Sequence, residues 1–279
     1  LFDDNQKINF RFHKKIINLQ KLHKMKFDKI IVSPGIDISN CKLSKFIKKN
    51  FSRVYSDLDI FYSFFKNESI TITGTNGKST TAKILHDVLF TKKKDVRLVG
   101  NIGNPILNEK NITKKTIFVI EASSYQLDYS KIFSSKYAMI LNITADHLER
   151  HKNLKNYVNA KFKLLETQNK KCFAYVKKND ELINAKIKSK KFNSKIIKVS
   201  TKKINIFLRY INNNYFFTET NKENLSFIIE ISKKFKIKKN LLIKTIQNFK
   251  GLKYRQQIIL KKKNLTIIND SKSTSFSST

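Results

Sequence analysis

The residues whose types and spacing most clearly predict chemistry are those at positions 73–80, which read TGTNGKST. They follow the apolar run SITIT and precede an amphipathic pattern, so we expect them to join a strand to a helix. There, glycines let backbone N–H groups turn toward phosphate oxygens, while Lys78 supplies a positive charge and Ser79 a hydroxyl for Mg²⁺. Ile72 occupies the first glycine position of the general pattern G-x-x-x-x-G-K-[ST]. We therefore predict a phosphate-binding loop of the shortened form G-T-x-G-K-[ST].

Two further side chains follow apolar runs that are typical of buried strands, where open α/β sheets hold their ligands. Glu121 ends the run TIFVIE, and its carboxylate is placed to reach the Mg²⁺ of a nucleotide; the alternative is a surface acid. His147 follows the run YAMILNI, where an imidazole can coordinate a metal, although a lone histidine is more often structural. Lys161 alone predicts only a solvated helix face, because lysine is abundant throughout the chain.

The elements that must position these residues alternate between strand and helix patterns. Continuous apolar runs predict strands at 27–33, 69–73, 96–100, 116–121 and 137–143. Apolar residues at helical spacing predict helices at 79–90 and 154–167. This order indicates an α/β fold with a mainly parallel sheet covered by helices.

The same alternation continues beyond residue 170. Strands are predicted at 172–176 and 196–199, with a polar helix near 180–188 between them. Residues 205–210 and 215–218 are predicted to pair as a hairpin, and helices follow at 221–235 and 240–249. Gly251 predicts a hinge or a helix end, after which RQQIIL and NLTIIND indicate two strands of a new unit. We therefore place boundaries near 57–67 and 250–254.

The formal net charge of +36 is the electrostatic pattern of proteins that bind a phosphate backbone. However, only six of the 57 basic residues are arginines, whereas forked recognition of phosphates and bases favours arginine. The lysines are also spread along the whole chain, together with abundant Asn, Ile and Phe. The composition therefore favours a solvated basic surface over a specific nucleic-acid partner.

Composition also bounds the class of protein. A hydrophobic fraction of 40% can build a core, and no run approaches the ~18 apolar residues of a membrane span. The N-terminus lacks the apolar region of a signal peptide, so a cytoplasmic protein is expected. Cys41 and Cys172 lie in different segments and are expected to be buried thiols. The first residue is not Met and the chain stops directly after a polar motif, so we expect a fragment of a longer protein.

An ordered set of motifs resembles the Mur ligase family. The motifs are SPGI (33–36), GTNGKST (74–80), GNIGNP (100–105), EASSYQLD (121–128), LNITADHLERH (141–151), NYVNAKFKLL (156–165) and NDSKST (269–274). Within the family, SSYQL and NDSKST are more specific to the branch that adds D-glutamate. The folate-polyglutamate branch would instead read GKGS after the asparagine-glycine of the loop. The resemblance covers essentially the whole chain.

The resemblance implies three α/β domains. Residues 1–56 would be part of a Rossmann-like N-terminal domain for the UDP-sugar, and 57–251 a central P-loop ATPase-like domain with a parallel sheet and helices on both faces. Residues 252–279 would begin the C-terminal domain, which binds the amino acid. With the extreme N-terminus and most of the C-terminal domain absent, this chain alone is expected to bind nucleotide weakly and not to turn over.

The implied activity is ATP-dependent amide formation between UDP-N-acetylmuramoyl-L-alanine and D-glutamate, through an acyl phosphate, in peptidoglycan precursor synthesis. The resemblance implies two Mg²⁺ ions for this reaction, and we expect the protein to be a monomer. By resemblance, Ser79 and Glu121 hold one ion, and His147 and Lys161 hold the other. A protonated lysine cannot ligate a cation, so the family carbamylates it with CO₂, and Lys161 is the matching position. Lys78, Glu121, His147 and Lys161 are thus the implied catalytic residues.

The resemblance also implies binding residues. The nucleotide would be contacted by Gly74, Thr75, Asn76, Gly77, Lys78, Ser79, Thr80, Asn224, Arg255 and Asp270. The UDP-muramoyl substrate would be contacted by Asn101, Ser123 and Gln126, and the reacting phosphate and D-glutamate by Lys272 and Thr274.

Three positions depart from the family pattern. Tyr254 replaces the usual His before the arginine, Ser275 replaces the Asn after NDSKST, and Thr220 replaces the His of a His-Asn pair. Three other functions stay open: a related Mur or folylpolyglutamate-type ligase with a different amino-acid acceptor, a basic P-loop protein associated with nucleic acid, and an inactive copy. The full metal-ligand set disfavours the inactive copy.

Overall fold

The structure, a computed structural model, describes residues 19–92, 95–202 and 204–273. The helices are α1 (Leu19–Lys24), α2 (Ser44–Lys49), α3 (Asp57–Phe64), α4 (Lys78–Phe90), α5 (Ser124–Tyr129), α6 (Leu148–His151), α7 (Leu154–Glu166), α8 (Glu181–Ser189), α9 (Ile204–Leu208), α10 (Glu219–Lys234) and α11 (Lys239–Gln247). The strands are β1 (Ile30–Ile31), β2 (Val54–Tyr55), β3 (Ser69–Thr73), β4 (Val96–Gly100), β5 (Ile117–Glu121), β6 (Tyr137–Ile140), β7 (Phe173–Lys177), β8 (Lys195–Val199), β9 (Gln257–Lys262) and β10 (Leu265–Asn269).

Six strands form a parallel sheet in the order β4-β5-β3-β6-β7-β8. The predicted mainly parallel α/β fold is therefore confirmed. Because β3 lies between β5 and β6, the carboxyl ends of these three strands meet at one edge of the sheet. The segments that follow the strands begin at Gly74, Ala122 and Leu141, so the sheet itself brings the predicted site segments together.

The sheet is covered on both faces, which explains why its central strands are continuous apolar runs. On β5, Phe118 and Ile120 pack into a cluster with residues of α3, α5 and α7. The alternate residues Ile117 and Val119 pack on the other face with residues of α4 and α10. An outer cluster then joins α4 and α10 to α9 and α11.

Smaller units lie at the two ends of the described chain. The parallel pair β1–β2 contributes Val54 to an apolar cluster with Phe46 and Ile47 of α2, and Tyr129 of α5 joins that cluster. β9 and β10 form an antiparallel pair, as RQQIIL and NLTIIND predicted. Gly251, between α11 and β9, has φ +81, a left-handed value that favours glycine. Within the described residues, no helix is both long enough and apolar enough to cross a bilayer.

Two predictions about the fold outside the site were wrong. Residues 205–210 and 215–218 do not pair as a hairpin but form α9 and a 3₁₀ turn at Asn214–Phe217. The reason is packing, because Ile204, Leu208 and Phe216 are buried in the outer cluster against α4 and α10. Cys172 is a buried thiol as predicted, whereas Cys41 is only half-buried, and both are free.

Asp59 fastens α3 to the loop that follows α5. Its buried carboxylate accepts hydrogen bonds from the backbone N–H groups of Ser56, Lys131, Ile132 and Phe133 and from the Ser130 hydroxyl, at 2.8–3.2 Å. Asp59→Ala leaves these donors unpaired, and we expect it to lower the free energy of unfolding by about 3 kcal/mol or more. Urea denaturation measures this, with the exposed Asp28→Ala as control. Equal stability of the two variants would contradict the assignment.

Candidate nucleotide and metal site

The predicted phosphate loop, residues 74–77, joins β3 to α4. Residues that follow β6 hold it in place. The Thr75 and Asn76 N–H groups donate to the backbone oxygen (3.0 Å) and side-chain Oδ1 (2.8 Å) of Asn142. The Thr75 hydroxyl is hydrogen-bonded to Thr144 O and to the Tyr157 hydroxyl, both at 3.1 Å. The loop is thus held by the segment that follows β6 and by Tyr157 of α7.

Gly77 is required by the conformation of this loop. Its φ is +83, and a Cβ there would lie 2.0 Å from Oδ1 of the buried Asn224. We expect Gly77→Ala to weaken Mg²⁺–ADP binding roughly tenfold or more, because the added methyl group displaces Asn224 and strains the loop. Isothermal titration measures this. In the control Gly35→Ala, the added Cβ has no atom within 4 Å. Equal affinities of the two variants would contradict this reading.

The loop forms one wall of a cavity. The other lining residues come from α10, from the 3₁₀ turn before it, and from the segment around β9 and β10: Tyr215, Thr220, Asn221, Asn224, Arg255, Gln256 and Asp270. The Tyr215 hydroxyl is hydrogen-bonded to Thr80 Oγ1 at 3.1 Å. Asp270 Oδ1 accepts from the Gln256 N–H at 3.1 Å. The residues predicted to contact the nucleotide come from four separate segments, and all of them except Gly74 line this one cavity.

Lys78 is the first residue of α4, and its side chain turns back onto the loop. Its Nζ donates to Gly74 O at 3.0 Å and to Thr75 O at 2.7 Å. Burial lowers the pKa of Lys78, and the negative charge of Glu121 opposes that shift. A lysine held in this way places its positive charge where the phosphates of a bound nucleotide would lie.

Glu121 ends β5 and is fully buried. Asn101 Nδ2 donates to its Oε1 at 3.0 Å, whereas Oε2 is buried with no hydrogen-bond partner among the described residues. The glycine at position 100, with φ +101, allows the backbone before Asn101 to lie close to Glu121, because a Cβ there would be 2.3 Å from Glu121 O. A buried carboxylate oxygen without a donor is costly unless a cation or another donor satisfies it.

Lys161 lies on α7 with only 1% of its surface exposed, contrary to the solvated position that its residue type alone predicted. Its Nζ donates to Gly74 O at 2.8 Å and lies 4.3 Å from the centre of the Tyr157 ring. Burial holds the pKa of Lys161 well below its usual value, and the charge of Lys78 lowers it further, while Asp146 opposes both effects. Burial and the neighbouring positive charge thus both shift the equilibrium of this side chain toward the neutral amine.

His147 caps α6 with a left-handed backbone (φ +54). Its Nε2 lies 3.4 Å from Asp146 Oδ2, and its Nδ1 lies 3.7 Å from Glu149 Oε1. The ring packs against Tyr125 and Tyr157, with centroid distances of 5.1 and 6.5 Å. Tyr157 thus contacts the phosphate loop, Lys161 and His147.

Ser123 and Gln126 form the capping box at the start of α5. The Ser123 N–H and hydroxyl donate to Gln126 Oε1 at 3.1 and 3.2 Å. Gln126 Nε2 donates to Asp57 Oδ2 at 2.9 Å, which fixes the orientation of the amide. Burial raises the pKa of Asp57, and the hydrogen bond from Gln126 opposes that rise.

Other predicted residues lie apart from these groups. Lys272 is exposed, with its Nζ 6.0 Å from the centre of the Tyr254 ring and outside the lining of the cavity. Thr274 and Ser275 lie outside the described residues. Two of the positions that depart from the family pattern lie near the cavity. Thr220 lines it, and Tyr254, with φ +65, directly precedes the lining residue Arg255.

Sequence reasoning assigned no role to Asn142, Tyr157 or Tyr215, although all three contact the loop or α4. Asn142 lies near the end of the strand predicted at 137–143, and Tyr157 is one helical turn before Lys161. These two positions in the sequence were the signals that could have identified Asn142 and Tyr157 as site residues. Among the described residues, no group of three His, Cys, Asp or Glu side chains is arranged to hold a metal. A metal here would therefore need ligands of other types, such as a hydroxyl or a modified lysine.

The fold and site define a class: a parallel α/β protein whose glycine loop joins a central strand to a helix and lines a polar cavity, which is the arrangement of P-loop nucleotide-binding proteins. The sequence profile described as the Mur ligase middle domain matches residues 72–248. The chain belongs to the Mur ligase family.

Individual relatives agree with that family. The chain is 31% identical, over 93% of its length, to the UDP-N-acetylmuramoylalanine–D-glutamate ligase of Rickettsia bellii and covers 62% of that protein. Its fold is similar to the UDP-N-acetylmuramate:L-alanyl-gamma-D-glutamyl-meso-diaminopimelate ligase of Neisseria meningitides (TM-score 0.60, 12% identity, 90% of each chain). It is also similar to a MurF ligase of Thermotoga maritima solved with ADP (TM-score 0.55, 11% identity, 88% of this chain and 72% of that one). The chain spans about 60% of the length of the curated relatives it matches.

Proposed function

We propose that the complete protein is an ATP-dependent ligase that joins D-glutamate to UDP-N-acetylmuramoyl-L-alanine in peptidoglycan precursor synthesis. The observation that carries the proposal is the buried Lys161 amine, 2.8 Å from Gly74 O of the phosphate loop. Lys161 forms none of the ion pairs found among the described residues. The choice of D-glutamate is supported by relatives that are named for it.

The nucleotide is assigned to the cavity beside the loop. The loop residues Gly74, Thr75, Asn76 and Gly77, with Lys78 and Thr80, would surround the phosphates. Asn224, Arg255 and Asp270 would contact the nucleotide from the opposite wall. Asn224 Oδ1 and Asp270 Oδ2 are buried without a hydrogen-bond partner among the described residues, which suits groups that meet a polar ligand.

The residues present fit two Mg²⁺ ions, provided that Lys161 is carbamylated. The Ser79 hydroxyl and the unpaired Glu121 Oε2 are oxygen ligands of the type that Mg²⁺ prefers. His147 and carbamylated Lys161 would hold the second ion. The neutral Lys161 amine can add to CO₂, forming an N–C bond and releasing one proton, and the product is an anionic carbamate. The ions would supply positive charge that neutralises the phosphate oxygens.

The reaction requires positioning and charge neutralisation rather than a protein nucleophile. A carboxylate oxygen of UDP-N-acetylmuramoyl-L-alanine attacks the γ-phosphorus of ATP, and ADP leaves. The amine of D-glutamate then attacks the acyl carbon, and phosphate leaves as the amide forms. Lys78 would stabilise the charge on the transferred phosphoryl group. Tyr157 would hold the loop and Lys161 in register, through its contacts with both.

The remaining roles follow the order of the units. Residues 1–56 would hold the UDP-sugar, 57–251 the nucleotide, and 252–279 would begin the amino-acid domain. Asn101, Ser123 and Gln126 would position the muramoyl substrate beside Glu121, and Lys272 and Thr274 would act at the reacting phosphate and D-glutamate. We further propose that the protein acts as a cytoplasmic monomer.

The test is product formation by the complete protein with ATP, Mg²⁺ and UDP-N-acetylmuramoyl-L-alanine, given D-glutamate or other amino acids, and analysed by mass spectrometry. We expect product with D-glutamate and none with L-glutamate, meso-diaminopimelate or D-alanyl-D-alanine. Product with a different amino acid would support ligase activity but overturn the choice of D-glutamate as the substrate. ATP hydrolysis that no amino acid stimulates would overturn the proposal of ligase activity.

A further inference from the structure

Arg150 connects the first unit of the fold to the segment that carries His147. Its guanidinium donates to three consecutive carbonyl oxygens: Nη2 to Pro34 O at 3.0 Å, Nη1 to Gly35 O at 3.1 Å, and Nη2 to Ile36 O. These carbonyls belong to the SPGI segment, between β1 and α2, which we call the 34–36 loop. Arginine suits this contact because its planar fork presents several donors at once, which a lysine ammonium cannot do in the same geometry.

The face of the same guanidinium lies over the Tyr125 ring, with Cζ 4.4 Å from the ring centre. Nη2 also lies 2.8 Å from the Tyr129 hydroxyl oxygen, so one of its two N–H groups is shared between two acceptors. The Tyr125 ring in turn packs against the His147 ring at 5.1 Å. A continuous series of contacts therefore runs from the 34–36 loop through Arg150 and Tyr125 to His147.

The local backbone around His147 needs such support. α6 is a single turn, and it lies between two residues with left-handed φ values, His147 (+54) and Lys152 (+69). A helix of one turn is not stable by itself. Two of its residues, Leu148 and Glu149, are exposed. Arg150 is the residue of α6 that reaches carbonyls 114–116 positions away in the chain.

We propose that Arg150 is a positioning residue that fixes His147 relative to the 34–36 loop. This inference rests on the function proposed above, in which His147 is a metal ligand and the first unit holds the UDP-sugar. In this proposal Arg150 acts through its contacts with the protein and not by binding either ligand. It sets the distance between the two sites, so binding at one site should stabilise the other.

Kinetics of the complete protein test this with Arg150→Lys, and with the exposed Arg209→Lys as the matched control. Arg150→Lys keeps the positive charge but loses the planar guanidinium that donates to the three carbonyl oxygens. We expect the KM for UDP-N-acetylmuramoyl-L-alanine and the half-saturating Mg²⁺ concentration each to rise roughly tenfold, the effect of losing one hydrogen bond to a charged group. The value of kcat at saturation should fall much less, and Arg209→Lys should match the wild type.

Amide hydrogen exchange gives a readout that does not depend on turnover. Adding Mg²⁺ and ADP should slow exchange in the peptide containing residues 33–37 of the wild type and of Arg209→Lys, but not of Arg150→Lys. A variant Arg150→Lys with wild-type Mg²⁺ dependence and wild-type exchange, even with a lower melting temperature, would overturn the proposal. If the wild type forms no product with D-glutamate, the proposed function fails, and the exchange experiment still decides the role of Arg150.

Discussion

Replacing Lys78 by alanine should reduce the affinity for Mg²⁺–ATP roughly 100-fold and abolish measurable turnover. The Lys78 ammonium lies within the phosphate loop, 3.0 and 2.7 Å from two of its carbonyl oxygens. Removing one fixed positive charge from a site of low dielectric constant costs about 3 kcal/mol, which is about two orders of magnitude in a binding constant. Isothermal titration measures the affinity, and phosphate release measures the turnover.

Lys83→Ala is the matched control because Lys83 lies on the same helix, α4, and its ion pair among the described residues is with Asp87 of that helix. Its Nζ is 2.5 Å from Asp87 Oδ1, in an i,i+4 ion pair that is partly exposed. Such pairs contribute about 0.3–0.5 kcal/mol, so nucleotide affinity should be unchanged. If Lys78→Ala binds Mg²⁺–ATP as tightly as Lys83→Ala does, the loop is not the phosphate site.

Lys161→Met should abolish ligase activity while making the fold more stable. Methionine has a similar length and no polar group, so it fills the buried position without the cost of burying an amine. We expect the free energy of unfolding at pH 7 to rise by about 1 kcal/mol, a typical trade of stability against activity at a functional site. Urea denaturation in CO₂-free buffer measures the stability, and phosphate release measures the activity.

The gain in the free energy of unfolding that Lys161→Met gives should decrease as pH rises. Burial holds the folded-state pKa of Lys161 well below its ordinary value of 10.5. Between those two pKa values the unfolded chain binds the proton and the folded chain does not, so wild-type stability rises with pH. That stability is lost progressively as pH falls from the unfolded-state value toward the folded-state pKa, and below the folded-state pKa it no longer changes. The advantage of Lys161→Met should therefore be larger at pH 7 than at pH 10.

Lys155→Met controls for methionine on α7, since Lys155 is exposed on the same helix. It should change neither activity nor the pH dependence of stability. Wild-type protein kept free of CO₂ should also lose activity and regain it with bicarbonate, together with a mass gain of one CO₂. An active Lys161→Met, or one that is less stable than the wild type at pH 7, would contradict the role of a buried neutral amine.

Local patterns in the sequence predicted much of the fold because buried parallel strands are continuous apolar runs and α4 and α7 carry apolar residues at helical spacing. α7 was predicted at 154–167 and is found at Leu154–Glu166. The wrong prediction at 205–218 also came from the local spacing of apolar residues. Ile204, Leu208 and Ile211 have helical spacing, but the apolar residues next to them were read as strands.

The site could be predicted only where one segment carries the pattern. The phosphate loop is contiguous, and Glu121 is the last residue of a predicted strand. The burial of Lys161 was not visible locally, because it depends on α7 packing against the loop 87 positions away. The contacts between Tyr157 and Thr75 and between Gln126 and Asp57 join residues 82 and 69 positions apart. Such pairs depend on the sheet order, which a single sequence does not contain.

The most direct test of the proposed reaction follows an oxygen atom. The complete protein would be given ATP, Mg²⁺, D-glutamate and UDP-N-acetylmuramoyl-L-alanine labelled with ¹⁸O in the alanyl carboxylate, and the released phosphate analysed by mass spectrometry. If the carboxylate attacks ATP and the amine then displaces phosphate, each phosphate carries one labelled oxygen, and its release requires D-glutamate. Unlabelled phosphate, released whether or not D-glutamate is present, would mean that water attacks ATP and would contradict the proposed ligase.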